Sequence, residues 1–155
     1  MSHFCTGRHI KKGGEPIADE LDALGVIALA MSDDPASEET IVLVLDDERR
    51  GHTILVVDGT DHPDAVVEIA DTIANAVARH PCGVSVVIAS VRPRHPVEPD
   101  DLDRWLEASD RLAGAGGELV EWFVITGTDC ADAECPRDLL GEAPRWGPAG
   151  PGRKR

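Results

Sequence analysis

Two stretches of the chain, Thr40-Ile41-Val42-Leu43-Val44-Leu45 and Val84-Ser85-Val86-Val87-Ile88-Ala89, are almost continuously apolar and rich in β-branched residues. A strand with one face in water alternates apolar and polar residues, so a run without alternation reads as a strand buried on both faces. Such strands need helices packed over the sheet, and the neighbouring sequence supplies helical patterns. At 155 residues the chain is the size of one domain. A globule of that length buries about two thirds of the surface its unfolded chain exposes, enough for a single core.

The order of elements follows from pattern and punctuation. Ile17, Leu21, Leu24, Ile27 and Ala28 recur at helical spacing after Pro16, which suits a first helical position, and the pattern stops before Asp33-Asp34-Pro35. The turn-like Asp46-Asp47-Glu48-Arg49-Arg50-Gly51 joins the first run to residues 52–57, predicting a hairpin of two buried strands. Asp61 or His62 is placed to cap a second helix with Pro63 near its start. Val66, Val67, Ile69, Ala70, Ile73, Ala74 and Val77 form its apolar stripe, and it should stop near His80-Pro81. The strand 84–89 runs into a Pro-rich loop, 90–99, after which Asp100 caps a third helix reaching about Ala113, with Leu102, Trp105, Leu106 and Leu112 inward. A strand over 119–126 follows. The expected fold is α/β, in detail α+β: a mixed central sheet of four or more strands flanked by three helices. Residues 16–140 form the domain, with tails over 1–15 and over the Gly/Pro-rich 141–155.

Charge and composition narrow the partners. With 15 Lys+Arg against 29 Asp+Glu the net charge is -14, a field that repels phosphate backbones and argues against tight nonspecific binding of nucleic acid or of an anionic membrane. Two Phe, three Trp and no Tyr give little material for stacking single-stranded bases. No stretch approaches the roughly 20 apolar residues of a membrane span. The basic start, Arg8, Lys11 and Lys12, is not followed by the apolar run of a secretory signal, so a cytoplasmic protein is expected. Four cysteines, Cys5, Cys82, Cys130 and Cys135, are too few and scattered for a disulfide framework, and reduced thiols are expected.

Few residue patterns point to chemistry. His3-x-Cys5-x3-His9 has zinc-type donors but no surrounding scaffold, and Cys130-x4-Cys135 lacks a second pair, leaving a reversible disulfide as its alternative role. Ser90 ends a strand without a nucleophile-elbow motif, and no Gly-rich phosphate loop follows the first strand. Arg92, Arg94 and His95 make a basic cluster suited to an anion or to a partner's carboxylate. Glu98, Asp100 and Asp101 stand nearby to balance it.

From Thr40 to Gly127 the chain resembles the RadC-like branch of the JAB/MPN metalloprotease superfamily. In that family the third strand ends in His-x-His-Pro-Ser-Gly, continues through a loop to Pro-Ser, and closes with an Asp as the next helix begins. Placed without gaps, Ser90 and Arg92 fall at the two His positions, Pro93 at the Pro, Arg94 at the Ser, Pro99 at the second Pro and Asp103 at the Asp. Leu45-Asp46, Gly59-Thr60, His62-Pro63-Asp64, Trp122 and Thr126-Gly127 support the register, and Glu38 or Glu39 stands where the family has its water-activating acid.

The resemblance implies a JAB/MPN-like, cytidine-deaminase-like core whose zinc ligands have been lost. Ser is a poor zinc ligand and Arg has no lone pair to donate, so of the family's three ligands only Asp103 remains and no metal is expected. The implied function is a catalytically inactive binding or scaffolding module for a protein partner, using the sheet, the loop from Arg92 to Pro99 and an exposed Trp such as Trp146. In this reading Arg92 pairs with Asp103 and with Glu38 or Glu39 in place of the metal. The alternative is a zinc-dependent hydrolase, peptidase- or deubiquitinase-like, with a rearranged ligand set drawn from His95, Asp103 and a cysteine or His62. Oligomeric state is left open by the sequence.

Overall fold

The structure, a computed structural model, describes residues 16–60, 62–79, 83–127 and 130–146. The motif of His3, Cys5 and His9, together with Cys82, lies outside these residues. Three helices and five strands follow in the order α1 (Glu20–Ala30), β1 (Glu39–Leu45), β2 (Gly51–Asp58), α2 (Ala65–Val77), β3 (Val84–Val91), α3 (Asp100–Gly114), β4 (Gly117–Ile125) and β5 (Ala133–Glu134). Among the described residues they form one mixed sheet in the order β2-β1-β3-β4-β5. β1 runs antiparallel to both β2 and β3, β3 is parallel to β4, and β5 closes antiparallel on β4. The α+β architecture is the one the sequence pattern implies.

The unbroken apolar runs are buried on both faces because helices cover both. Ile41, Leu43, Val87, Ala89, Phe123 and Ile125 pack with Ala23, Ile27 and Ala30 of α1. Their neighbours Val42, Val86, Ile88, Trp122 and Val124 pack with Val66, Ala70 and Ile73 of α2 and with Trp105, Ala108 and Leu112 of α3. Alternate residues of one strand therefore belong to two different cores, as the two-residue period of a strand requires.

Several boundaries differ from expectation. α1 begins at Glu20, capped by the Asp19 carboxylate, which accepts from the Asp22 N–H. Pro16 lies before it, bridged to Arg50, where Ile17 N–H donates to the Arg49 carbonyl. The helix consequently buries Ala23, Ile27 and Ala30, while Leu21 is 78% exposed and Ala28 is also exposed. The cap position of α2 is Asp64 rather than Asp61 or His62. β3 extends through Ser90 to Val91, so Ser90 belongs to the strand. α3 starts at Asp100 with Pro99 at the cap position, and Leu106 points outward. β2 is a strand, as expected, but it is the sheet edge, and Ile54, Leu55, Val56 and Val57 are exposed instead of buried.

The C-terminal part is more ordered than its composition implies. Short 3-10 turns span Cys130–Asp132 and Pro136–Leu140, and packing continues to Trp146, which is buried in the α1-side core. Arg49 holds this segment: in a left-handed turn conformation (φ 66°), it directs its guanidinium to Glu118 and the Arg145 carbonyl and lies over the Trp146 ring. The hairpin turn before β2 thus anchors the segment at Arg145 and Trp146. Phe123→Ala, which empties a fully buried site, is expected to cost about 3–5 kcal/mol. Leu21→Ala should stay within about 0.5 kcal/mol, and urea unfolding of both variants checks the two faces of this assignment.

Candidate functional site

The feature that sets this molecule apart from a plain α+β domain lies where β3 hands over to α3. Arg92, directly after β3, keeps its backbone on the sheet by donating its N–H to the Ile125 carbonyl at 2.8 Å. Its side chain turns into the protein and is 7% exposed. The guanidinium meets Asp101 with both terminal nitrogens, at 3.2 and 2.8 Å. Nε donates to the His95 carbonyl at 2.8 Å, and one terminal nitrogen also reaches the Pro96 carbonyl at 3.1 Å. Its carbon stands 5.9 Å from the centre of the Trp122 ring. A planar five-donor fork suits this combination of carboxylate and carbonyl acceptors; an ammonium does not.

Asp101 is the other half of the centre, and its side chain is fully buried. It also accepts from Arg104 at 2.8 Å and from the Glu98 N–H at 2.9 Å, so one carboxylate ties the loop, the first turn of α3 and the end of β3 together. Arg104 carries the network on to Glu98 at 2.8 Å and to Asp64, at the cap position of α2, at 2.9 Å. Burial pushes the Asp101 carboxyl up, but the bonds from Arg92, the Glu98 backbone and Arg104 outweigh it and hold its pKa below the ordinary 3.8.

The residues expected to share a site divide between the two faces of the sheet. Glu39 is buried on the α1 side, its carboxylate accepting from the Ser32 N–H at 2.7 Å just past the end of that helix. Ser90 lies on the other side, accepting from the Trp122 Nε1–H at 2.9 Å. Thr40, paired in register with Ser90, bonds Thr60 through the hydroxyls at 2.9 Å. Glu38, one residue before Glu39, is the acid near the loop: it stands 3.8 Å from Arg94 and 4.0 Å from His95, both of whose side chains are more than half exposed.

The partner of Arg92 is therefore corrected: it is Asp101, and neither Asp103 nor Glu38 nor Glu39. The reason is helical periodicity. Asp101, Trp105, Ala108 and Leu112 follow one another at steps of three or four and are all buried, whereas Asp103 falls on the exposed face of α3. The same spacing, visible in the sequence, would have singled out Asp101. Trp146, expected at the surface, is buried instead.

A second buried ion pair was not signalled by the sequence pattern. Glu121, fully buried in β4 on the α1 side, receives Arg137 through Nε and a terminal nitrogen, each at 3.0 Å. Burial lifts the Glu121 carboxyl above its ordinary value while Arg137 pulls it back. Cys135, beside it, has its thiol pushed up by burial and by the Glu121 charge, so it is held protonated. Cys135 carries a free thiol, and the Cys130 Sγ donates to the Leu24 carbonyl at 3.5 Å. Among the described residues, Glu20, Glu121 and Cys135 have donor atoms close enough to share a metal ion, but the Arg137 cation already sits on the carboxylate such an ion would need.

No protein-family model matches the chain, and a search of the curated proteins gives no match. Among the described residues no helix is long and apolar enough to cross a membrane.

Removing one partner of a buried pair strands the other charge. Arg92→Ala is expected to cost about 3–5 kcal/mol. In a chain of this size that corresponds to a fall of about 10 °C in Tm, whereas Asp103→Ala should change stability by no more than about 0.5 kcal/mol. The lowered pKa of Asp101 means its contribution is complete above the ordinary carboxylate value and is lost as pH falls through its folded value. Asp101→Asn should accordingly lose part of the acid-limb pH dependence in unfolding curves measured from pH 7 downward.

Proposed function

We propose that the chain is a catalytically inactive relative of the RadC-like branch of the JAB/MPN superfamily and works in the cytoplasm as a binding or scaffolding module for a protein partner. The observation that carries this reading is the Arg92 guanidinium, fixed by Asp101 and two loop carbonyls at the position where that family places a zinc-ligating His. Zinc does not fit the residues present. The Ser90 hydroxyl receives a bond from Trp122, Arg92 brings a positive charge to the slot, and Asp103 faces away from the strand end on the exposed side of α3. A cation at this position would stand against a guanidinium in a region shielded from water, where like charges repel most strongly.

The architecture of a mixed sheet between helices is the one the resemblance implies, and it leaves the loop after β3 at one end of the sheet. Arg92 and Asp101 rigidify that loop from beneath. Arg94 and His95 are then held at its surface next to Glu38, ready to meet polar groups of a partner. A surface loop positioned by a rigid core is a common basis for recognition.

Elemental analysis of protein purified without a His tag or chelator tests the reading. No stoichiometric zinc is expected in the wild type, before or after incubation with the metal, and none in Asp103→Ala. Stoichiometric zinc in the wild type that is lost in Asp103→Ala would overturn it and restore the hydrolase alternative with His95 as a ligand.

A further inference from the structure

The two buried ion pairs hold opposite walls of one surface groove. It has a volume of about 710 Å³, within the range of ligand sites, with Val97 and Leu139 as apolar walls and Glu20, Glu134, Asp138 and Glu142 as acidic ones. Val97 stands between two residues fixed by the first pair: the Pro96 carbonyl accepts from Arg92, and the Glu98 N–H donates to Asp101. Leu139 belongs to the turn Pro136–Leu140, which Arg137 ties to Glu121. Both walls are thus set from the core in advance, and a groove ordered beforehand loses little conformational entropy when it is filled.

The charges decide what it takes. Arg137 is the one basic side chain lining the groove among the described residues, and it is 4% exposed. Its nitrogens are engaged within the chain: two meet Glu121, and Nη1 donates to the Asp138 carboxylate and to the Glu142 carbonyl at 3.0 and 3.1 Å. An incoming anion therefore meets carboxylates first. Glu20 and Glu134 are exposed, and neither has a cation beside it among the described residues. Glu20 also brings a carboxylate oxygen within 4.8 Å of a Glu121 oxygen and of Cys135 Sγ. The excess negative charge is felt beneath the groove: burial first, and then the charges of Glu121 and Glu20, push the Cys135 thiol up. The apolar wall adds a second demand, because Leu139 is 54% exposed and an ammonium or metal ion alone leaves it in water. The described end of the chain leads away from the groove. Arg145 donates to the Leu119 carbonyl near the start of β4, and Trp146 follows it there, whereas Glu134 pairs with Val124 near the end of that strand.

We propose that this groove receives a segment of a protein partner in which a Lys or Arg stands next to a large apolar residue. The cationic group is met by the acidic wall of Glu20 and Glu134, and the apolar side chain covers Leu139 opposite Val97. The net charge of -14 draws such a segment in and disfavours an acidic one. The proposal deepens the protein-binding reading above and rests on it.

The test is a titration of the full-length, isotope-labelled chain with a terminally blocked hexapeptide of alternating Lys and Leu, followed by amide NMR shifts, beside its counterpart of alternating Glu and Leu. The Lys peptide is expected to shift amides of residues 97–98 and 133–142 saturably, and the Glu peptide to leave them in place. Glu20→Gln combined with Glu134→Gln, both at exposed positions, should weaken the Lys peptide about tenfold, and added salt should weaken it too. Equal shifts with both peptides, none with the Lys peptide, or unsaturated shifts spread over the other acidic faces would overturn the proposal. So would sedimentation as a dimer that Leu139→Glu dissolves, which assigns the groove to a second copy. Binding that appears only after Arg153, Lys154 and Arg155, or Arg8, Lys11 and Lys12, are changed to Glu assigns it to the chain's own basic ends and equally overturns it. Failure of the wider reading is distinguishable: stoichiometric zinc contradicts the module whatever the peptides do, whereas a blank titration of zinc-free protein contradicts only the groove proposal.

Discussion

The contact between Arg92 and Asp101 is the constraint on which this end of the molecule depends. Both groups are almost fully removed from water, at 7% and 0% side-chain exposure, so each must be satisfied by the other and by nearby dipoles. That requirement fixes the loop after β3, because the His95 and Pro96 carbonyls and the Glu98 N–H are the remaining partners. Burying such a pair does not by itself outweigh its desolvation, and an apolar pair of similar shape is often as stable. Its role is better understood as positional: it allows one path for the loop and one seating of the first turn of α3. The network of Arg104, Glu98 and Asp64 then extends that seating to the start of α2.

The two-residue period of β1 and β3 explains why residues adjacent in sequence have separate fates. Glu39 and Glu38 face opposite sides of the sheet, one closing the end of α1 through Ser32, the other standing beside Arg94 and His95. The second buried pair, Glu121 with Arg137, plays on the α1 side the part that Arg92 and Asp101 play on the other. It secures the C-terminal turns against β4, and Arg49 adds a separate hold on Trp146 through the hairpin turn. A largely aliphatic interior, with Trp105, Trp122 and Phe123 at its centre, is thus flanked by two ion pairs that set where irregular segments cross it.

Much of the fold was legible because burial on both faces leaves a strong trace. The runs in β1 and β3 and the stripes of α2 and α3 correspond to real elements with small shifts at their ends. β2 misled because its composition is that of a core strand, and composition does not show whether a neighbour is present on the far side. Pro16 and Ile17 misled for a related reason: they continue the apolar spacing of α1 but serve the sheet edge. The segment after β4 carries Gly and Pro and no periodicity, so the packing of Cys135, Arg137 and Trp146, which depends on contacts distant in sequence, left no local signal. At the candidate site, Arg92 was legible as the unusual residue. Its partner lies two positions before the acid that the family pattern singles out, because the periodicity of α3 turns Asp101 inward and Asp103 outward.

Arg92, directly after β3 and held by an acid on the following helix, forms a structural centre at one end of the sheet. A double-mutant cycle over Arg92→Met and Asp101→Leu, read by urea unfolding, tests that coupling most directly. Strong coupling is expected: each single change costs about 3–5 kcal/mol by stranding a buried charge, and the double change costs far less than their sum. Additive costs would contradict it, because the two residues would then not be acting as one centre.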